Sequence, residues 1–448
     1  MNLHRKLMER AEAREPIRVG LIGVGKFATM FLAQALRTPG LHVMAVADLD
    51  PARARENLIR AGWSADRLDA ASPEDARKSG ATHIGDDAET MIAAAGIDVI
   101  IEATGDPAAG IRHALSCIHH GRHVVMVTVE ADALAGPALA QRARAAGIVY
   151  SLAYGDQPAL IAEQVDWARA AGFTVVCAGK GTKYLPAYHA STPETVWAHY
   201  GLDPETARAG GMNPQMFNSF LDGSKSAIEM AAVANATGLR PGPDGLAFPA
   251  AGVDDLAQIC RPETAGGILP HGGTVEVVSS LHRDGRPVER DLRWGVYVVV
   301  EAASDYVARC FSEYGLVTDD SGRYMAMYRP WHLIGLELGI SVASVALRGE
   351  ATGTPAGFHG DVVAVAKRDL AVGETLDGEG GYTVWGRLMP AADSLTAGGF
   401  PLGLAHGVRL AAPVAAGAML RWTDVVVDEA GAAVALRRES EALYAPAP

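Results

Sequence analysis

Cysteine is scarce in this chain, and basic charge is outweighed. Cys117, Cys177, Cys260 and Cys310 stand far apart, and none forms a Cys-x-x-Cys pair. That spacing argues against a disulfide framework or a cysteine zinc site and fits a reducing cytoplasm. Lysine and arginine number 39 against 52 acidic residues, a formal charge of −13. So acidic a chain is a poor partner for nucleic acid or an anionic membrane. No apolar run approaches the ~18 residues of a membrane-spanning helix. The opening MNLHRKLMERAEAREP mixes both charge signs without an apolar stretch, unlike a signal peptide. A cytoplasmic protein is expected.

What is present suits a large core. The 448 residues, 49% apolar and 20% charged, fit two or three globular domains. IRVGLIGVGKFATMFLAQAL reads as strand, glycine turn and amphipathic helix, with Gly23-x-Gly25-x-x-Ala28 at the turn. In a dinucleotide site the first glycine makes the turn and the second admits the pyrophosphate. The small third residue packs helix on strand, so the site spans Gly23, Gly25, Lys26, Phe27 and Ala28. HVMAVADLD follows as a strand ending at Asp48, whose carboxylate suits a ribose 2′-OH and repels a 2′-phosphate. That favours NAD over NADP. IDVIIEATG reads as a further strand with Thr104 and Gly105 at its carboxyl end, and HVVMVTVEAD as the next, ending near Glu130. Strands alternating with helices predict a doubly wound parallel Rossmann sheet over 1–152. The competing reading is a flavodoxin-like sheet without a dinucleotide.

Beyond residue 152 the pattern changes. GDQP, with Asp156, is a polar turn before a helix, and FTVVC leads a strand into AGKG. GTVEVVSSL and WGVYVVVEA read as antiparallel strands, so the middle domain is expected to be α+β with a mixed sheet. In AGKGTK the glycines invite close backbone approach, and Lys180 and Lys183 suit an anionic group. FLDGSKSAIEMAAVANATGL (220–239) is read as one helix with Asp222, Lys225 and Glu229 on a shared face and Asn235 near its end. Its other positions are small and apolar, which predicts burial, and buried charges need partners or work to do. A lysine among carboxylates can protonate a carbonyl oxygen as hydride arrives. In MYRPWHLIGLE, Arg329 can clamp an anion, and His332 is as compatible with structure as with chemistry.

These stretches together (GLIGVGKFAT, VIIEATG, VMVTVEAD, YSLAYGDQP, AGKG, the NATGL helix and RPWHL) resemble the bacterial DXP reductoisomerase-like (DRL) oxidoreductases over most of the chain. That family is similar in its first two domains to homoserine dehydrogenases. The resemblance implies a homodimeric NAD(P)-dependent oxidoreductase with its active site between the first two domains. It also implies the activity of some members, which isomerise and reduce 1-deoxy-D-xylulose 5-phosphate to methylerythritol phosphate, a step of isoprenoid synthesis. Lys225 and Asp222 fit the catalytic lysine and aspartate of homoserine dehydrogenases, and Lys180 fits the family's substrate-facing loop. Two departures stand out. Asp48-Leu49-Asp50 replaces the basic pair of NADPH-using members, and the DSEH metal motif of the ordinary reductoisomerase is absent, which leaves a divalent metal open.

The middle domain is placed at 153–354, with part of 325–354 able to return to the first. From 355 to 448 the chain turns glycine-rich, and AKRDLAVGETLD and LAAPVAAGAMLRWTD share a spacing, as though one hairpin had been used twice. The pattern resembles a SAF-type β-clip, with Lys367 and Arg368 leading in and the tail a short helix. Catalytic candidates are therefore Lys225, Asp222, Glu229 and Lys180. Substrate candidates are Lys183, Asp156, Asn235, Arg329 and His332, with no metal ligands assigned. The leading reading is hydride transfer to or from a small anionic carbonyl or alcohol. Its rivals are an NAD-dependent dehydrogenase of a hydroxy acid, sugar acid or homoserine-like alcohol, and a non-catalytic NAD-binding sensor or scaffold.

Overall fold

The computed structural model describes residues 2–445, so the final Pro-Ala-Pro of the tail lies outside the described residues. The chain forms two compact units. Met1–Leu160 with Leu333–Thr354 make the first, and Ile161–His332 with Pro355–Pro448 the second.

The first unit is built on six parallel strands: β1 (Ile17–Ile22), β2 (Leu41–Ala47), β3 (His83–Gly85), β4 (Val99–Glu102), β5 (His123–Met126) and β6 (Tyr150–Leu152). Their order is β3-β2-β1-β4-β5-β6, which reverses direction between β1 and β4 and opens a crevice at the strands' carboxyl ends. Local sequence starts the connecting helices. Asp50-Pro51, Ser72-Pro73 and Asp106-Pro107 each place a side-chain cap before a proline whose missing N–H goes unneeded in a first turn. The core joins Leu21, Ile101 and Val125 of the sheet to Phe31 and Leu32 of the helix Lys26–Ala35. Leu338, Val342 and Val345, at and within the helix Gly339–Arg348, complete it.

The second unit holds a four-stranded sheet of β7 (Thr174–Thr182), β8 (Thr274–Ser279), β9 (Val296–Glu301) and β10 (Tyr324–Arg329), ordered β10-β9-β7-β8. The sheet is mixed, but GTVEVVSSL departs from the antiparallel expectation: β8 runs parallel to β7. The cause is the long helical connection between them, which carries the chain back to the starting end as a parallel pair requires.

Further on, β11 (Gly360–Ala366) pairs antiparallel with β13 (Val384–Pro390), while β12 (Thr375–Asp377), β14 (His406–Leu410) and β15 (Val425–Val426) form a small antiparallel sheet. The two similar segments meet each other, with Leu370 and Val414 exchanging backbone hydrogen bonds of 2.8 and 3.0 Å. The terminal helix is longer than its sequence suggests, running Ala432–Tyr444. Buried Arg437 anchors it through a two-pronged bond to Asp361 of β11 at 2.8 and 2.6 Å.

Candidate active site

The dinucleotide crevice is shaped by two glycines with different jobs. Gly23 adopts φ 85°, and a Cβ there would lie 2.7 Å from the Ala103 carbonyl oxygen, so the turn needs glycine. Gly25 caps the helix Lys26–Ala35 at φ −78°, and a Cβ there would meet nothing within 4 Å. Open space before a helix N-terminus whose first N–H groups lack a side-chain cap is a cradle for pyrophosphate, so these residues fit a nicotinamide dinucleotide. Lys26 is exposed and Phe27 half-buried in the first turn, while Ala28 is fully buried against the sheet.

Asp48 follows β2 and turns its carboxylate back. Its Oδ2 accepts from Val24 N at 2.7 Å, and its Oδ1 from Asp50 N and Arg53 Nη2, each at 2.9 Å. It thereby fixes the glycine turn.

At the ends of β4 and β5 the expected Thr104 and Gly105 join a cluster whose other members, Glu102, His113 and Thr128, the sequence reading missed. Glu102 is fully buried and accepts from Thr104 Oγ1 at 2.6 Å and Thr128 Oγ1 at 2.5 Å, with His113 Nδ1 3.1 Å away. Thr128 Oγ1 in turn accepts from Gly105 N at 3.0 Å. An acid closing the apolar run VIIE was the available signal. Glu130 requires a correction: β5 stops at Met126, and Glu130 sits in the first turn of the helix Val129–Ala145. The β-branched VTV suggested strand, but the alanine-rich segment after it favours helix.

In the second unit, AGKG is strand rather than loop. A Cβ at Gly179 would lie 1.7 Å from the Glu276 carbonyl oxygen, and one at Gly181 would lie 2.0 Å from that of Leu292. These glycines admit neighbouring backbone, which corrects the idea that they bring a loop to a ligand. Lys180 between them is buried and ion-paired with Glu229 on the helix Ser224–Thr237. Lys225, half-buried, stands one turn before Glu229 on that helix. Arg329 shares a cross-strand row with Lys180, since both pair with Val296 of β9, so their side chains leave the same face.

The single helix expected over 220–239 is also corrected. One helix, Pro214–Leu221, ends at Asp222, Gly223 takes φ 93°, and a new helix begins at Ser224. Asp222 therefore leaves the face of Lys225 and Glu229 and becomes the pin of the elbow. Fully buried, it accepts from Ser224 N and from Lys367 Nζ, each at 2.8 Å. Burial pushes its carboxyl up, opposed by Lys367 and Ser224. Lys367 spends its other two hydrogens on the Ser191 and Gly381 carbonyls at 2.8 and 2.7 Å, so its ammonium is a staple with no donor left for substrate. His189 joins the elbow, its Nδ1 2.7 Å from the Asp222 carbonyl and its Nε2 2.9 Å from the Tyr184 hydroxyl. Burial holds this imidazole neutral, which makes Nδ1 the donor and Nε2 the acceptor.

The remaining candidates each have contacts of their own. Asn235 is buried and accepts from His359 N at 2.7 Å and Gly360 N at 3.0 Å, clamping the approach to β11. Lys183 Nζ donates to the His199 carbonyl at 2.5 Å. His332 Nδ1 lies 2.8 Å from the Trp294 carbonyl. Asp156, in the first unit, accepts from Gln157 N at 2.9 Å. Among the described residues no group of three His, Cys, Asp or Glu side chains could hold a metal, and no helix is long and apolar enough to cross a membrane.

Comparison with protein families matches residues 155–338 to "Oxidoreductase DRL, catalytic domain". That segment is similar to a DRL catalytic domain. Residues 19–152 match "Homoserine dehydrogenase, NAD binding domain" and 361–426 match the SAF domain, so the DRL architecture implied by the sequence is present. The two longer matches are thus to an oxidoreductase catalytic domain and to an NAD-binding domain. No curated protein matches. Solved structures match only weakly. An oxidoreductase domain protein from Kribbella flavida is 17% identical over 38% of this chain and 43% of its own, with a TM-score of 0.28. A probable dehydrogenase from Thermotoga maritima is 12% identical over 76% and 90%, at 0.36. A myo-inositol dehydrogenase from Lactobacillus casei, solved with NAD(H) and myo-inositol, is 15% identical over 40% and 50%, at 0.29. The chain thus spans half or less of the first and third of these proteins.

Proposed function

We propose that this DRL-type chain moves hydride between a nicotinamide cofactor and a small, polar, anionic carbonyl or alcohol. The observation that carries the proposal is the buried Lys180–Glu229 pair with Lys225 one turn away, inside a DRL catalytic domain. The bound nicotinamide supplies or accepts the hydride. Lys225 gives a proton to the substrate oxygen during reduction and takes one during oxidation. Lys180 and Glu229 hold each other in place: removing one partner of such a pair strands a buried charge at a cost of about 3–5 kcal/mol. Their role is therefore to position and to polarise the site.

Within this reading the cofactor is NAD(H), because Asp48 places a carboxylate after β2. The opposite feature is Arg53, paired to Asp48 with its side chain 59% exposed, which suits a 2′-phosphate and favours NADP(H). Reduction of 1-deoxy-D-xylulose 5-phosphate is the substrate the family resemblance favours. An NAD-linked dehydrogenase of a hydroxy or sugar acid is the second reading, supported by Asp48. The proposal includes a homodimer and no nucleic-acid partner, the latter in keeping with the charge of −13.

The test is Lys225→Met assayed on a panel of phosphorylated sugars and hydroxy acids. We expect kcat to fall about 10²–10⁴-fold with NAD(H) affinity unchanged. Undiminished turnover would remove the proposed proton donor.

A further inference from the structure

Two cations of the second unit stand together; Asp291, on the segment of one of them, bonds only the Arg293 backbone N–H, at 2.8 Å. Lys183, one residue past β7, holds its Nζ 5.7 Å from the centre of the Tyr200 ring. Arg293, from the segment before β9, places its guanidinium carbon 5.7 Å from the same ring and 4.7 Å from that of Trp294. Their backbones converge at Gly181, where a Cβ would lie 2.9 Å from Arg293 N. Neither cation has an ion-pair partner among the described residues, in a chain with 52 acidic side chains. Burial and the nearby guanidinium both push the Lys183 ammonium down, the mark of like charges held close. Such an arrangement is unfavourable until an anion completes it.

We propose that Lys183 and Arg293 form the binding site for a dianionic phosphate monoester, the charged end of the substrate. One dianion neutralises both cations. The guanidinium offers two parallel N–H donors and the ammonium adds a point charge. Tyr200 walls the site, and Trp294, 61% exposed, stands beside it toward solvent. Assignment of this anion to the substrate rests on the function proposed above; the binding site itself does not.

The test uses the full chain with inorganic phosphate as probe, measured by calorimetry at constant ionic strength against acetate. Phosphate is expected to bind saturably and more tightly than acetate. Its affinity should fall about ten- to a hundredfold in Lys183→Met and in Arg293→Met. Arg293→Lys, which keeps the charge but loses the fork, should fall between. NAD(H) affinity should stay unchanged, and the thermal unfolding of the second unit, read on the same samples, reports folding of the part that carries the substitutions. Failure of the parent to bind phosphate, equal affinity in folded variants, or acetate binding as tightly as phosphate would each overturn the inference. Turnover plays no part in this readout. Phosphate binding that survives alongside full activity in Lys225→Met would sink the proposed proton donor and leave the anion site standing.

Discussion

Asp132 lies fully buried in the helix Val129–Ala145, with Oδ1 accepting from the Tyr150 hydroxyl at 2.9 Å and Oδ2 making no hydrogen bond. Burial pushes its carboxyl up to about 7 from an ordinary 3.8. The folded protein therefore keeps this proton over a range where the unfolded chain has lost it. The group's contribution to stability is full below pH ~4 and drains away as pH rises to ~7. Asp132→Asn should match the parent in thermal unfolding at pH 4 and exceed it at pH 8, by roughly 1–3 kcal/mol. An equal difference at both pH values would show that ionisation is not the cause. Glu276, held by Ala247, Phe248 and Val277 N–H groups, is likewise raised to about 7 by burial and adds a trend of the same sign.

Among elements, glycines of opposite function make a paired experiment. Gly179→Ala puts a methyl group into the Glu276 backbone of the neighbouring strand, which neither strand can yield without breaking the ladder. Loss of more than about 3 kcal/mol, or of soluble protein, is expected. Gly25→Ala meets open space at an ordinary φ, so stability should hold while NAD(H) affinity drops at least tenfold. Unaltered cofactor binding in that variant would mean the pyrophosphate lies elsewhere. The Rossmann strands were legible because local patterns decide them: an apolar run, a turn residue, a cap. The break at Asp222-Gly223 was not, since helical spacing continues across it and only a left-handed glycine interrupts the pattern. Lys180 was picked out as important, yet its partner Glu229 is 49 residues away. Lys367 and Asp222 are 145 residues apart, beyond the reach of any local pattern.

For the whole molecule, the segment Leu333–Thr354 matters most, because it belongs to the first unit despite following most of the second. Leu338, Val342 and Val345 are fully buried there. At ~1.5–3 kcal/mol each they supply roughly 5–9 kcal/mol of burial, comparable with the net stability of an entire domain. A fragment of residues 1–160 should therefore be molten or insoluble. The same fragment joined to 333–354 through a flexible linker should unfold cooperatively in calorimetry and bind NAD(H). Cooperative folding of the short fragment alone would show the returning helix to be dispensable.

The same segment sets a timetable for birth on the ribosome. At ~5–20 residues per second, the returning helix emerges on the order of 10–40 s after Leu160. Until then the nascent dinucleotide domain presents an unfilled apolar face to the cell, a natural stage for a chaperone to act.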